Sequence, residues 1–185
     1  MNPVNFMNAD RSALVLVDYQ GRLMPMIHNH EQVVKEALRL AEAAWLLGVP
    51  TIGTEQNPGR LGPNLDSVRQ RCASTLTKTH FDACEDGLLQ TLDETAPGRP
   101  EVVIAGCEAH VCLLQTALGL LRAGRRVWVV GSACGSRTAD NQALALQRLA
   151  AAGAVVVSAE MVIFEWLHQC RHPRFKEMLA LVKAD

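Results

Sequence analysis

The chain has no block of lysines and arginines: its 18 basic and 19 acidic residues are scattered and leave a formal net charge of -1. That excludes a polybasic arm or a membrane-surface patch, and the electrostatics give no reason to expect nucleic acid as a partner. Long apolar runs are missing as well. The first, over residues 13–17, is stopped by Asp18 and follows a polar stretch over residues 1–11, which reads as neither a signal peptide nor a membrane span. The six cysteines, at 72, 84, 107, 112, 134 and 170, include no CxxC pair. Several of them lie inside apolar patterns, so no disulfide framework is expected and the setting reads as reducing and cytoplasmic. Glycine is short where a nucleotide would need it. The first apolar run continues as Asp18-Tyr19-Gln20-Gly21-Arg22, with neither GxGxxG nor a P-loop to cradle phosphates.

What is present is the composition of a compact α/β protein: 185 residues, 49% apolar and 20% charged, read as one domain over residues 1–185. Residues 13–17, 49–54, 101–105, 126–130 and 154–158 are short apolar runs rich in β-branched residues, the mark of fully buried strands. Residues 74–78 offer one further short strand. Residues 56–71, punctuated by Asn57-Pro58-Gly59 and Gly62-Pro63-Asn64, read as a loop. Between the strands, residues 31–47 place Val34, Leu38, Ala41 and Trp45 on one helical face and Glu31, Lys35, Arg39 and Glu42 on another, with Gly48 and Pro50 as the stop. A second helix begins at Thr138 or Asp140 as N-cap, turns Leu146, Leu149 and Ala150 inward and ends at Gly153. Residues 111–122 and 173–183 carry two more helical patterns. This alternation predicts a parallel sheet with helices on both faces.

In an open parallel sheet, ligands bind beyond the carboxyl ends of the strands, which gives weight to polar residues that follow strands. Asp18, Lys78 and Cys112 hold such positions. A carboxylate, an ammonium and a thiol make a workable nucleophilic set, with Asp as base, Lys as the charge that holds two anions and Cys as the attacking atom. Cys112 also opens a helical pattern, where free N–H groups and the dipole favour thiolate, and with Lys78 nearby it is expected to be the most reactive of the six cysteines. The plainer readings stay open on residue type alone: a small core residue for Cys112, a cap or turn residue for Asp18, a solvated lysine for Lys78.

Several stretches together resemble the isochorismatase-like cysteine hydrolases over nearly the whole chain. They are Ala-Leu-Val-Leu-Val-Asp18-Tyr-Gln, Thr54-Glu-Gln-Asn-Pro-Gly, Thr77-Lys78-Thr-His-Phe and Gly106-Cys-Glu-Ala-His-Val-Cys112-Leu-Leu-Gln-Thr-Ala-Leu. Val130-Gly-Ser-Ala-Cys-Gly-Ser-Arg137 and the tail His172-Pro-Arg-Phe-Lys-Glu are most similar to the subgroup of isochorismatase domain-containing proteins. The resemblance implies a Rossmann-like three-layer sandwich around a six-stranded, mostly parallel sheet. It implies a catalytic triad of Asp18, Lys78 and Cys112, with attack on a carbonyl or nitrile carbon and hydrolysis of the resulting adduct. It further implies a cis peptide at Cys107–Glu108 that turns N–H groups of Glu108 and Cys112 toward an oxyanion, and a homo-oligomer in which a neighbour helps close the site.

Two departures narrow the reading. Where nicotinamidases carry a metal-binding Asp-x-His pair this chain has Glu55-Gln56-Asn57, so neither a metal nor another cofactor is expected. Members that cleave isochorismate lack the cysteine that is kept here. The expected function is hydrolysis of a small amide-type C–N substrate through a covalent cysteine intermediate. The alternative is a non-catalytic interaction protein that retains the fold. Gln56 and Arg60, in the expected loop, are candidates to lie over the site, with Gln56 as a substrate contact. Tyr19 and Phe81 are candidates for the pocket wall or the core. His110 reads as a second base or, by its place in the first helical turn, as a backbone partner, and His28, His30, His168 and His172 as surface residues.

Overall fold

The computed structural model of the chain describes residues 6–184; residues 1–5 of the polar N-terminal stretch and residue 185, both inside the expected domain, lie outside the described residues. The apolar runs become β1 (Ser12–Val17), β2 (Thr51–Gln56), β3 (Ser74–Lys78), β4 (Glu101–Gly106), β5 (Arg126–Val130) and β6 (Val155–Val157). They form one sheet in the order β3-β2-β1-β4-β5-β6, every neighbouring pair parallel. β1 and β4 are buried at every position, as central strands covered on both faces must be, and this is why their sequences run apolar without alternation. The sheet is parallel throughout, where the sequence reading allowed it to be mostly so.

The helices are α1 (His30–Leu46), α2 (Pro58–Leu61), α3 (Asp66–Arg69), α4 (Leu88–Thr95), α5 (Leu114–Arg122), α6 (Ala139–Ala151), α7 (Ala159–Leu167) and α8 (Phe175–Lys183). α1 packs on β1, β2, α7 and α8, while α5 and α6 pack on each other and on β5 and β6 respectively, with α4 against β3. The α1 face differs from the expected one. Val33, Ala37, Leu40, Ala41 and Ala44 are its buried stripe, whereas Trp45 is 70% exposed. The alanines let the helix lie close to the sheet, a contact the large indole has no room to share. On α6, Thr138 is the N-cap, its hydroxyl accepting from the Asn141 N–H at 3.2 Å; Ala145 and Leu149 point inward while Ala150 is exposed.

Strand β2 begins and ends two residues later than the sequence pattern suggested, because Glu55 and Gln56 pair with Thr77 and Lys78 of β3. The stretch expected as a loop therefore starts beyond Gln56 and holds the single turns α2 and α3. The shift matters for function. It puts Gln56 on the rigid sheet, at the same edge as Lys78.

The strand order reverses between β1 and β4, which opens a crevice at their carboxyl ends. The two ends are held close. A Cβ on Gly106 would stand 2.4 Å from the Val17 carbonyl oxygen, so only glycine fits, and the next residue, Cys107, donates its N–H to that carbonyl at 2.9 Å.

Candidate active site

At this edge the fold brings Asp18, Lys78 and Cys112 together from the ends of β1, β3 and β4. Asp18 leaves β1 with a φ of 54°, a left-handed conformation that aspartate tolerates better than most residues. Its N–H donates to the Thr54 carbonyl at 3.2 Å, and its Oδ1 accepts from the Thr54 hydroxyl at 2.6 Å. Its Oδ2 lies 2.8 Å from Lys78 Nζ, both side chains being 0% exposed. Lys78 aligns its N–H bonds elsewhere, on Gln56 Oε1 at 2.7 Å and on the His80 carbonyl at 3.4 Å. The contact with Asp18 is thus a charge pair, and Asp18 Oδ2 has no aligned hydrogen-bond donor.

Cys112 is 6% exposed and lies in a wide π-turn, Ala109–Leu113, that runs directly into α5. Such widened turns displace one residue from the regular helical ladder and concentrate at functional sites. The thiol reaches both Asp18 and Lys78, and the balance between them corrects the expectation of a resting thiolate. Burial first and the Asp18 carboxylate second push the Cys112 thiol up to about 12, against the opposing pull of Lys78. The helix start and one cation do not outweigh loss of water and a neighbouring anion. Cys112 rests as a thiol, and the exposed Cys170, rather than Cys112, is the cysteine most open to reagents.

Burial also pushes Cys72 up to about 11, Cys84 and Cys134 up to about 12, and Cys107 upward. The ordinary thiol value is 9.0, so the folded state holds these protons more tightly than the unfolded chain does. Their contribution to stability is whole below pH 9.0 and is lost as the pH climbs through 11 and 12. The melting temperature of reduced protein is expected to hold to about pH 9 and then fall steadily. A melting temperature that stays flat to pH 11 contradicts this set of shifts.

The remaining sequence candidates divide. Gln56, the last residue of β2, joins the cluster: Oε1 accepts from Lys78 and lies 3.9 Å from Cys112 Sγ, while Nε2 donates to the Thr79 carbonyl at 2.7 Å. Tyr19 does not join it. It is fully buried, with its hydroxyl donating to the Ala133 carbonyl at 2.5 Å, and is a core residue rather than a pocket wall. Phe81 is 50% exposed on the segment after β3, where its carbonyl accepts from the Thr116 hydroxyl at 3.2 Å. The Cys107–Glu108 peptide is cis. Among the described residues the Glu108 N–H meets no acceptor, and the Glu108 side chain accepts from Arg137 Nε at 2.7 Å. His110 departs from its expected backbone role, because its Nδ1 faces the Ser136 hydroxyl at 3.0 Å. Arg60, His28 and His168 are exposed, while His30 and His172 are half-buried away from the cluster.

Sequence reasoning missed two members. Thr54 orients Asp18, and the fully buried Gln20 fastens the end of β2: its Oε1 accepts from the Gln56 N–H at 2.8 Å, and its Nε2 donates to the carbonyls of Gln56 at 3.0 Å and Gly62 at 2.6 Å. The available signal was a polar residue two positions beyond Asp18 at the end of a buried strand. At the Glu55-Gln56-Asn57 segment, Glu55 is buried and accepts from the Asn64 N–H at 2.9 Å. Among the described residues no group of three or more His, Cys, Asp or Glu side chains is arranged to hold a metal ion. Nor is any helix among them long and apolar enough to cross a membrane.

The isochorismatase domain model matches residues 12–161, a span that runs from β1 into α7 and includes Asp18, Lys78 and Cys112. Isochorismatase domain-containing protein 2A of Mus musculus is 34% identical over 177 residues, covering 94% of this chain and 84% of that protein. Among solved structures, the MAR1 ribonuclease of Caenorhabditis elegans superposes with a TM-score of 0.90 at 32% identity, over 98% of this chain and 94% of that one. The YcaC gene product of Escherichia coli, described as an octameric hydrolase of unknown specificity, superposes with a TM-score of 0.89 at 23% identity, over 97% and 90% of the two chains.

Proposed function

We propose that this chain, which belongs to the isochorismatase-like hydrolase family, is a cysteine hydrolase that cleaves a small amide-type C–N bond through a covalent adduct on Cys112. The observation that carries the reading is the fully buried Asp18–Lys78 pair, at 2.8 Å, beside a thiol that is itself slightly open to solvent. Removing two charges from water is costly and is poorly justified by stability alone. A proton relay to a nucleophile justifies it.

Asp18 Oδ2 takes the thiol proton as sulfur bonds to the substrate's carbonyl carbon, and the carbonyl electron pair moves onto oxygen. The Glu108 and Cys112 N–H groups receive that oxyanion, a role that typically supplies about 2.7–4 kcal/mol per donor. The oxyanion collapses, the C–N bond breaks, and the proton on Asp18 passes to the leaving nitrogen. Water, deprotonated by Asp18, then attacks the thioester carbon; the acid departs and the proton returns to sulfur. Lys78 stands against the Asp18 carboxylate before the first transfer and steadies the anionic sulfur after it. Cys112 is thus activated only when substrate is in place, in keeping with its elevated resting value of about 12.

In this reading residues 1–185 act as one hydrolase domain, without a cofactor, on a small molecule in a reducing cytoplasm, which fits six unpaired cysteines. The test is a panel of small amides, ureas, nitriles and amidated acids, with RNA included because a relative carries a ribonuclease name. Release of amine or ammonia from a small substrate, absent in Cys112→Ala, supports the proposal. Cleavage of RNA alone overturns the substrate class, and binding without any turnover favours an interaction protein.

The chain is also proposed to act as a homo-oligomer. The half-exposed Phe81 near the site and the octameric E. coli relative support this. Light scattering at micromolar concentration is expected to give a multiple of the chain mass; a monomer over that range places the whole pocket within one chain.

A further inference from the structure

Gln56 is more than a support for Lys78. Its Nε2 is committed to the Thr79 carbonyl at 2.7 Å, which fixes the amide so that Oε1, and not Nε2, faces the site. Its backbone is clamped on both sides by Gln20, through the bonds at 2.8 and 3.0 Å, and belongs to the β2–β3 pairing. An amide oxygen accepts two hydrogen bonds. Lys78 Nζ takes one at 2.7 Å, while the other direction meets only the Cys112 thiol at 3.9 Å, a long and weak contact that a better donor displaces. The site therefore holds a rigid, half-satisfied acceptor directly beside the candidate nucleophile. The other acceptor in reach, Asp18 Oδ2, has to receive the thiol proton.

We propose that Gln56 Oε1 accepts an N–H from the substrate itself, so that the site selects molecules bearing an N–H within a few bonds of the carbon under attack: primary or secondary amides, ureas and related compounds, rather than tertiary amides, esters or nitriles. The inference rests on the hydrolase reading and narrows it. Arrival of the substrate N–H also displaces the thiol from Gln56, leaving Asp18 as its hydrogen-bond acceptor. Substrate recognition and activation of Cys112 are thereby one event.

Two thiol-addition probes separate this from a structural role without a known substrate. Acrylamide and N,N-dimethylacrylamide both add sulfur to the β-carbon and a proton to the α-carbon, but only the first carries N–H. Their relative rates at Cys112, read by peptide mass spectrometry and divided by the same ratio at the exposed Cys170 of the same sample, cancel both thiol acidity and intrinsic reactivity. In the native chain Cys112 is expected to favour acrylamide by about threefold to tenfold, the worth of one neutral hydrogen bond. Gln56→Met, of equal length but without the acceptor, is expected to bring the ratio near one, and Gln56→Glu, which keeps an oxygen there, to retain a preference. A ratio unchanged in folded Gln56→Met, or near one in the native chain, overturns the role of Gln56 while leaving Cys112 as nucleophile. If Cys112 does not react with either probe while Cys170 does, an N–H at Gln56 does not activate the thiol and this inference falls, whereas the hydrolase reading falls only if the substrate panel gives no turnover that depends on Cys112.

Discussion

Cys112→Ala is expected to lower turnover of any small substrate found for this chain by at least about 10⁴-fold, because removal of the nucleophile from a concerted catalytic set costs nearly as much as removal of the whole set. Asp18→Asn and Lys78→Ala should fall by a similar factor, and combining them should add little. The structural cost of Cys112→Ala is small. Cys112 is 6% exposed and its thiol makes no strong hydrogen bond, lying 3.9 Å from Gln56 Oε1, so the loss is about 1 kcal/mol and the melting temperature moves by only about 2–4 °C. Calorimetry and turnover measured on the same preparation separate the two effects. Substantial activity in folded Cys112→Ala removes covalent catalysis and leaves Asp18 as a base acting on water.

The second large effect is on stability. Lys78→Met leaves the Asp18 carboxylate buried opposite an apolar side chain, and stranding a buried charge costs about 3–5 kcal/mol. For a chain of this length that lowers the melting temperature by roughly 10 °C. Adding Asp18→Asn removes the stranded charge, keeps a side chain that tolerates a φ of 54° and can still accept from the Thr54 hydroxyl. The double variant is therefore expected to recover most of the lost stability and none of the activity. If Lys78→Met melts with the native protein, Asp18 and Lys78 do not form a charged pair, and the relay assigned to them is wrong.

The fold was legible where a local pattern carries it. β1 and β4 are continuous apolar runs because both faces are covered, and the edge strand β3 was visible as Ser74-Thr75-Leu76-Thr77 before Lys78. α7 was not read, although its buried residues Ala159, Val162, Ile163, Trp166 and Leu167 recur at helical spacing, because the exposed Met161 and Phe164 between them make Met161-Val162-Ile163-Phe164 a continuous apolar run that hides the period; Ser158, whose hydroxyl accepts from the Met161 N–H at 3.2 Å, marks its start. α4 did have a signal in Leu88 and Leu92, four residues apart and both buried. Trp45 misled because helical spacing identifies a stripe but not which of two overlapping stripes lands on the sheet.

At the site, Asp18, Lys78 and Cys112 were readable because each follows a strand and the topology sends strand ends to one edge. Thr54, Gln20 and the true place of Gln56 were not, since their roles arise from pairing of β2 with β1 and β3 rather than from spacing along the chain. The charge state of Cys112 was misjudged for a similar reason. Sequence shows a helix start and a lysine, whereas depth of burial and the closeness of Asp18, the two causes that prevail, exist only in three dimensions.

The most direct test of the central claim is the mass of the protein during turnover. Once the panel yields a substrate, the reaction is quenched in acid within the first turnovers and the protein is digested for peptide mass spectrometry. An adduct equal to the substrate's acyl portion is expected on the peptide containing Cys112, appearing no later than the released amine and absent from Cys112→Ala. Turnover with an adduct on another residue, or undiminished turnover in Cys112→Ala, contradicts it.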